Sequence, residues 1–215
     1  MSQNSIFERL YASLYFHLVR RLYAYHPACV NNAIYLTFDD GPDPGITEFV
    51  LDELAKYKAK ATFFCCGKNM EKNQKLLARI LAEGHVIANH TFSHINGLKT
   101  SVNEYVKDVN KVDNIHPTVL FRPPWGQMNF REYIKLRDKK IVLWDVESGD
   151  VINKYNKDSI IEKWKKTVKP GSIVLFHFSE EHAERTKDLL PTFLTMFDKM
   201  GYSFKSIENV WHENQ

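Results

Sequence analysis

Short apolar runs alternate with amphipathic segments along most of the chain, and this alternation constrains the fold more than any other feature. The run NNAIYLTF (31–38) precedes the helical pattern GITEFVLDELAKYKA (45–59), and KATFFCCG (60–67) precedes NQKLLARILAEG (73–84). Strands that alternate with helices over short connections are typical of βαβ units, which assemble into a mostly parallel sheet. Periodicity alone leaves open whether such a sheet closes into a barrel or stays open.

The same alternation continues to the end of the chain and predicts about seven strands in an α/β fold. Further strands are predicted at 85–91, 118–126, 141–146, 171–178 and 203–207, and further helices at 101–115, 130–140, 157–168 and 186–201. The chain has 215 residues, which is enough for one domain with its own core.

Charge and cysteine content exclude some classes of protein. The net charge is only +3, and no dense block of lysine and arginine indicates a nucleic-acid partner. The three cysteines, Cys29, Cys65 and Cys66, do not form the even framework of a disulfide-stabilised domain. We expect Cys65 and Cys66 to be core residues of a protein in a reducing compartment.

The N-terminal segment SIFERLYASLYFHLVRRLYAY (5–25) carries one apolar stripe at helical spacing. Residues 1–30 are therefore predicted to be an amphipathic helix and lead-in, and residues 31–215 the main α/β domain. We expect this helix to pack on the domain, with peripheral membrane contact through Arg20 and Arg21 as the alternative. The segment lacks a cleavage site and is too short to span a bilayer, so a cytoplasmic or membrane-peripheral location is expected.

Polar residues follow five of the first six predicted strands, at the end where parallel α/β folds place their working residues. In chain order these are Asp39 and Asp40; His90 and His94; Arg122 and Trp125; Asp145, Glu147 and Asp150; and His177. Because these ends meet at one rim, we expect the side chains to share a site.

The motif HTFSH (90–94) predicts a metal site. If its loop is helical, His90 and His94 point the same way, and one aspartate of the FDD motif (38–40) would complete a two-histidine, one-carboxylate set. The second aspartate would then remain nearby as a base. Each motif also has a simpler interpretation: an isolated histidine pair arises by chance, and Asp40 and Asp43 are typical capping residues of a turn.

Five motifs together resemble those of the polysaccharide deacetylases, the carbohydrate esterases that share the NodB homology domain. The motifs are TFDDGP, HTFSH, RPPWG, WDVESGD and LFH, in the order of that family between residues 37 and 177. The resemblance implies a single-domain, distorted (β/α)7 barrel of mostly parallel strands. It also implies a divalent metal, usually zinc, with cobalt, nickel or manganese as alternatives.

The same resemblance implies a role for each matching residue. Asp40, His90 and His94 would hold the metal, Asp39 would be the general base, and His177 would be the general acid. Arg122 would orient Asp39, and the carboxylate that orients Arg122 or His177 would be Asp145, Glu147 or Asp150, with Asp150 preferred. Trp125 would offer its backbone N–H to the oxyanion and Leu175 would line the acetyl pocket. Pro124 and Trp144 complete the expected substrate site.

Two positions depart from the family pattern. Val151 stands where the family often has tryptophan, which removes an apolar wall that Trp125 or Trp144 can replace, and Phe178 stands where aspartate is frequent. His85, His116 and His182 belong to none of the motifs, and we expect them to be surface or structural residues.

These observations predict a metal-dependent hydrolase that removes N-acetyl groups from an N-acetylglucosamine-containing glycan, of the peptidoglycan or chitooligosaccharide type. Three alternatives share the fold: an O-acetyl esterase, an amidase of small molecules, and a glycan-binding pseudoenzyme. The oligomeric state is left open by the sequence.

Overall fold

A computed structural model describes residues 32–152 and 154–208 of the chain. The strands are β1 (Ala33–Asp40), β2 (Thr62–Cys65), β3 (Val86–Asn89), β4 (Leu120–Phe121), β5 (Lys140–Ile141), β6 (Val146–Glu147), β7 (Ile173–His177) and β8 (Ser203–Lys205). The α-helices are α1 (Thr47–Lys56), α2 (Gly67–Lys72), α3 (Gln74–Ala82), α4 (Val102–Asp113), α5 (Phe130–Lys135), α6 (Lys157–Thr167) and α7 (Ala183–Lys199). Short 3-10 helices lie at Gly97–Lys99, Pro124–Gly126 and Glu180–His182.

The strands form one parallel sheet in the order β5-β4-β3-β2-β1-β7-β6, and β8 also pairs with β1. Among the described residues, no pairing joins the two edge strands, β5 and β6, so the curled sheet is an incompletely closed barrel. The predicted single-domain, distorted barrel is confirmed, with one more strand than expected.

Strand β1 lies at the centre of the sheet because both of its faces are apolar enough to be buried. Ile34, Leu36 and Phe38 alternate along one face and pack in the larger core against the helices. Tyr35 belongs to a second cluster on the opposite face. Thr37 and Asp39 share that second face because side chains alternate along a strand, so Asp39 enters the barrel interior.

The turn after β1 requires a glycine. A Cβ atom at Gly41 would lie 2.5 Å from the ring of Phe178, closer than any side chain tolerates. Phe178 is fully buried and its ring also packs against Phe38 and Phe63. Phe178, which departs from the family pattern, therefore fills space directly behind the FDD motif.

The predicted strand 141–146 is wrong in its extent, since only β5 and β6 form at its two ends. Between them, Val142 N still donates to the carbonyl oxygen of Phe121 and Asp145 N to that of Ile173. Two side-chain contacts add to these bonds: Arg122 Nε donates to the carbonyl oxygen of Val142 at 2.9 Å, and Ile173 N donates to the Asp145 carboxylate at 2.8 Å. Helix α2 was also absent from the prediction.

The predicted amphipathic helix at 1–30 and Cys29 lie outside the described residues, so the proposed division into 1–30 and 31–215 stays a prediction.

Cys65 and Cys66 are buried and unpaired. No helix within the described ranges has the length and hydrophobicity needed to cross a bilayer.

Candidate metal and catalytic site

Asp40, His90 and His94 meet at the carboxyl end of the sheet. The Nε2 atoms of His94 and His90 lie 3.1 and 3.5 Å from Asp40 Oδ1. Each residue offers one ligand atom, and these atoms all lie within 4.8 Å of one another. Ligands bound to one zinc ion at about 2.0 Å in tetrahedral geometry are about 3.3 Å apart, so the spacing suits a single cation.

The chemistry of the three side chains also fits a cation. Asp40 Oδ1 is buried and makes no hydrogen bond of acceptable geometry. Burial alone would raise the pKa of the Asp40 carboxyl, but the nearby imidazoles of His90 and His94 lower it well below its usual range. His90 Nδ1 lies 2.7 Å from the carbonyl oxygen of Arg122, which can only accept, so Nδ1 is protonated and Nε2 is free to be a ligand.

The histidine pair comes together on a loop, not on the helix that its spacing suggested. Thr91 and His94 have φ angles of 63° and 53°, in the left-handed region that residues other than glycine seldom adopt. Asp108 on α4 stabilises this loop by accepting hydrogen bonds from Phe92 N and Ser93 N, both at 2.8 Å. Asn89 accepts from Thr91 N at 2.8 Å. Asp108 was not predicted to support the site, because no local sequence pattern connects it to the HTFSH motif.

Asp40 and Asp43 differ in their roles. Asp43 Oδ1 accepts from Gly45 N at 2.8 Å, as the turn interpretation expected. Asp40 does not cap the turn through its carboxylate; its φ angle of 86° turns the side chain toward the histidines. Strain of this kind costs about 1–3 kcal/mol and is concentrated at functional sites.

Asp39 is held by a buried ion pair with Arg122. Arg122 Nη1 donates to Asp39 Oδ1 at 2.7 Å, and both side chains are almost completely buried. The same Nη1 donates to Thr37 Oγ1 at 2.9 Å. Asp39 Oδ2 instead lies 3.8 Å from His90 Nε2. One carboxylate oxygen is therefore fixed by the arginine, and the other faces the three candidate ligands.

His177 ends β7, the strand that pairs with β1, and lies beside Asp39 in register. Its Nδ1 lies 3.1 Å from Asp150 Oδ1, and its backbone N–H donates to Asp150 Oδ2 at 2.6 Å. Burial would lower the pKa of His177, but the hydrogen bond and charge of Asp150 raise it to about 9. Asp145 and Glu147 contact Ile173 N and Trp144 Nε1 instead, so Asp150 is the carboxylate that contacts His177.

These side chains open onto a cleft of about 570 Å³. Its lining residues are Asp39, Asp40, His90, His94, Trp125, Trp144, Glu147, Val151, Leu175, His177, Glu181 and His182. Arg122 and Asp150 are buried behind Asp39 and His177 and do not line the cleft. Pro124 is buried at the start of its 3-10 helix and does not line the cleft, whereas Trp125 is exposed and does, so contact between Pro124 and substrate stays a prediction.

Glu181 and His182 were not predicted to line the site, and Val151 was considered only as a departure from the family pattern. The ring of His182 lies 4.9 Å from that of His177, and its expected role as a surface or structural residue stays a prediction. Glu181 precedes His182, and Val151 follows Asp150. All three residues follow β6 or β7 in the sequence, and the loops after these strands reach the rim of the sheet. His85 is structural as expected: its Nδ1 accepts from Ala61 N at 3.2 Å.

Comparison with known proteins identifies relatives over most of the chain. The sequence profile described as polysaccharide deacetylase matches residues 29–139. A peptidoglycan-N-acetylglucosamine deacetylase of Bacillus cereus is 34% identical over 186 residues, covering 82% of this chain and 87% of the relative. The peptidoglycan-N-acetylmuramic acid deacetylase PdaA of Bacillus subtilis is 36% identical over 200 residues, covering 85% and 72%.

A solved structure has the same fold. It is a peptidoglycan N-acetylglucosamine deacetylase in complex with 4-naphthalen-1-yl-N-oxidanyl-benzamide, and it superposes with a TM-score of 0.79 at 31% sequence identity. The match covers 86% of this chain and 90% of that one.

Proposed function

The chain belongs to the polysaccharide deacetylase family, and we propose that it removes N-acetyl groups from an N-acetylglucosamine-containing glycan of the peptidoglycan or chitooligosaccharide type. We further propose that the reaction needs a divalent cation, with zinc as the first candidate. Two histidines and one carboxylate are a recurrent catalytic zinc set that leaves a coordination position open. Cobalt, nickel and manganese suit similar ligands.

The proposal rests mainly on the different surroundings of the two carboxylate oxygens of Asp39. Arg122 occupies Oδ1 at 2.7 Å, so Oδ2 is the oxygen free to accept a proton from an attacking water beside Asp40, His90 and His94. A cation held by the three ligands would act as a Lewis acid that polarises the substrate carbonyl and increases the acidity of water.

His177 is suited to complete the reaction as the general acid. Amide hydrolysis expels a poor leaving group, so the departing nitrogen must receive a proton, and a positioned acid accelerates such a step by about 10²–10⁴-fold. Asp150 holds His177 Nδ1 at 3.1 Å, which leaves Nε2 as the nitrogen available to the cleft. Asp39 and His177 are thus separate groups on neighbouring strands, so the base and the acid are distinct residues.

The apolar lining residues would position the substrate. Leu175 is 4% exposed and lies two residues before His177, where it can contact the methyl of an acetyl group. Trp125 is 55% exposed and its ring lies 4.5 Å from that of His94, so its free face is available to a sugar ring. Trp144 also lines the cleft and would supply apolar surface that Val151, with its smaller side chain, does not.

Ester or small-molecule amide hydrolysis would use the same groups, and comparing acetate release from N-acetyl and O-acetyl glycans distinguishes these reactions. A glycan-binding pseudoenzyme is disfavoured because Asp39, its arginine partner and His177 are all present and aligned. Tight glycan binding without acetate release, even with added zinc or cobalt, would support the pseudoenzyme instead.

The deciding experiment measures acetate release from an N-acetylglucosamine oligomer. We expect activity that is lost with Asp39→Asn and on treatment with a chelator, and restored by added zinc. Asp43→Asn is the matched control, since Asp43 carries the same charge in the same turn but binds Gly45 N. Activity that survives both Asp39→Asn and the chelator would refute the proposal.

A further inference from the structure

The cleft has an acidic rim although the whole chain carries a net charge of +3. Glu147 and Glu181 line it with exposed side chains, and within the described ranges none of its lining residues is lysine or arginine. Arg122 lies behind the cleft and is already paired with Asp39. Arg185 Nη1 donates to the carbonyl oxygens of Asp150 and Ile152, and Arg185 does not line the cleft.

The two glutamates flank the general-acid side of the cleft. Glu147 ends β6 and lies in register with Leu175, two residues before His177. Glu181 belongs to the 3-10 helix that follows His177, and its neighbour His182 lies 4.9 Å from the His177 ring. Trp144 Nε1 donates to Glu147 Oε1 at 3.4 Å, which orients that carboxylate over the cleft wall.

We propose that Glu147 and Glu181 make the cleft select neutral N-acetylated sugar units over units that carry a free carboxylate beside the acetamido group. This inference rests on the proposed deacetylase function. N-acetylmuramic acid differs from N-acetylglucosamine by a lactyl ether on the carbon next to the one that bears the acetamido group. A free lactyl carboxylate must therefore enter the same cleft, where the two glutamates repel it and where, apart from the histidines of the site, no cationic side chain among the described residues lines the wall.

The expected size of the effect follows from Coulomb's law. Two carboxylates at about 8 Å from a third in a water-like dielectric together disfavour the anionic unit by about fivefold. Because both glutamates are exposed, added salt screens the repulsion and reduces the preference. One relative is named an N-acetylglucosamine deacetylase and another an N-acetylmuramic acid deacetylase, so family membership does not predict which of the two units this chain prefers.

The test compares two forms of one glycan, an alternating oligomer of N-acetylglucosamine and N-acetylmuramic acid without peptides. In one form the lactyl carboxylates are free, and in the other they are converted to neutral methylamides. Mass spectrometry of the products locates each deacetylated unit, and kcat/KM is measured for both forms at low and high ionic strength. A neutral chitooligosaccharide reports the basic activity in parallel.

We expect the wild-type protein to prefer the amidated muramic unit about fivefold at low salt. The double variant Glu147→Gln/Glu181→Gln should reduce that preference toward one, and high salt should do the same in the wild-type protein. Glu180→Gln removes a neighbouring exposed charge that does not line the cleft and should leave the preference unchanged. Glutamine retains the acceptor oxygen for Trp144, and such exposed substitutions usually change stability by under about 0.5 kcal/mol.

Equal kcat/KM for both forms, or a preference that persists in the double variant, would overturn the inference while chitooligosaccharide turnover still supported the proposed function. No acetate release from any of the glycans, with zinc present, would overturn the proposed function and this inference together.

Discussion

Arg122 and Asp39 form an ion pair inside the barrel, with Nη1 and Oδ1 separated by 2.7 Å. The guanidinium carbon also lies 4.1 Å from the ring centre of Phe64, and Nε donates to the carbonyl oxygen of Val142. The arginine therefore connects three strands of the sheet, β1, β2 and β4, as well as the segment after β5. Its removal affects both the base and the barrel.

Replacement of Arg122 by methionine should destabilise the protein as well as inactivate it. Removing one partner of a buried pair leaves an uncompensated charge and costs about 3–5 kcal/mol. Urea unfolding of Arg122→Met and of Arg122→Met/Asp39→Asn measures this cost. We expect the second change to restore part of the lost stability, because asparagine is neutral. A double variant less stable than the single one would contradict a charge-based explanation.

The pH dependence of kcat/KM should reveal the Asp150–His177 pair. The pKa of His177 is raised to about 9, so the acid stays protonated at neutral pH and activity should fall as pH rises through about 9. Asp150→Asn removes the interaction that raises the pKa, so the alkaline limb should move to lower pH, toward the ordinary histidine range. Asp145→Asn is the control, because Asp145 binds Ile173 N. An alkaline limb that stays in place in Asp150→Asn would exclude His177 as its source.

Asp108 should control metal affinity although it is not itself a candidate ligand. Its carboxylate holds Phe92 N and Ser93 N, and so fixes the loop between His90 and His94. Loss of such supporting contacts typically weakens metal binding by about 10–100-fold. Zinc affinity of Asp108→Ala, measured by competition with a chelating dye, should fall by that factor. Glu104→Gln changes an exposed acid on the same helix and should retain wild-type affinity.

Gly41→Ala should strain the turn that positions Asp40. The added methyl would lie 2.5 Å from the Phe178 ring, and overpacking of this kind costs about 1–3 kcal/mol. The midpoint temperature of thermal unfolding and the affinity for zinc should both decrease. Phe178→Leu should partly rescue Gly41→Ala by removing ring atoms, so the two changes should be non-additive. If the changes in the free energy of unfolding caused by Gly41→Ala and Phe178→Leu simply add, the clash is relieved by movement of groups other than Phe178.

The sequence predicted the elements that local patterns control. Strands β1 and β7 lie within two or three residues of their predicted bounds, because a continuous apolar run next to a polar end is a local signal. The grouping of polar residues at one rim followed from the parallel topology alone. The individual roles of Asp39, Asp40 and His177 came from family resemblance, and their placement in the cleft is compatible with those roles.

What the sequence could not supply depends on distant contacts. The left-handed backbone at Thr91 and His94 is stabilised partly by Asp108, fourteen or more residues away in the chain, so spacing alone suggested a helix. The predicted strand at 141–146 is divided because its start pairs with β4 and its end pairs with β7, at the two edges of the sheet. His182 reaches the cleft only because the 3-10 helix after β7 folds back beside His177. No local pattern encodes these three arrangements.

The φ angle of 86° at Asp40 has a consequence for substitution at this position. The residue must present a negatively charged carboxylate oxygen as the ligand and must also tolerate a backbone conformation that, apart from glycine, only asparagine, aspartate and a few others adopt readily. Glutamate satisfies the first demand and fails the second, whereas asparagine does the reverse. Aspartate thus meets both the ligand requirement and the backbone requirement. Its replacement by another acidic residue is therefore not a conservative change at this position.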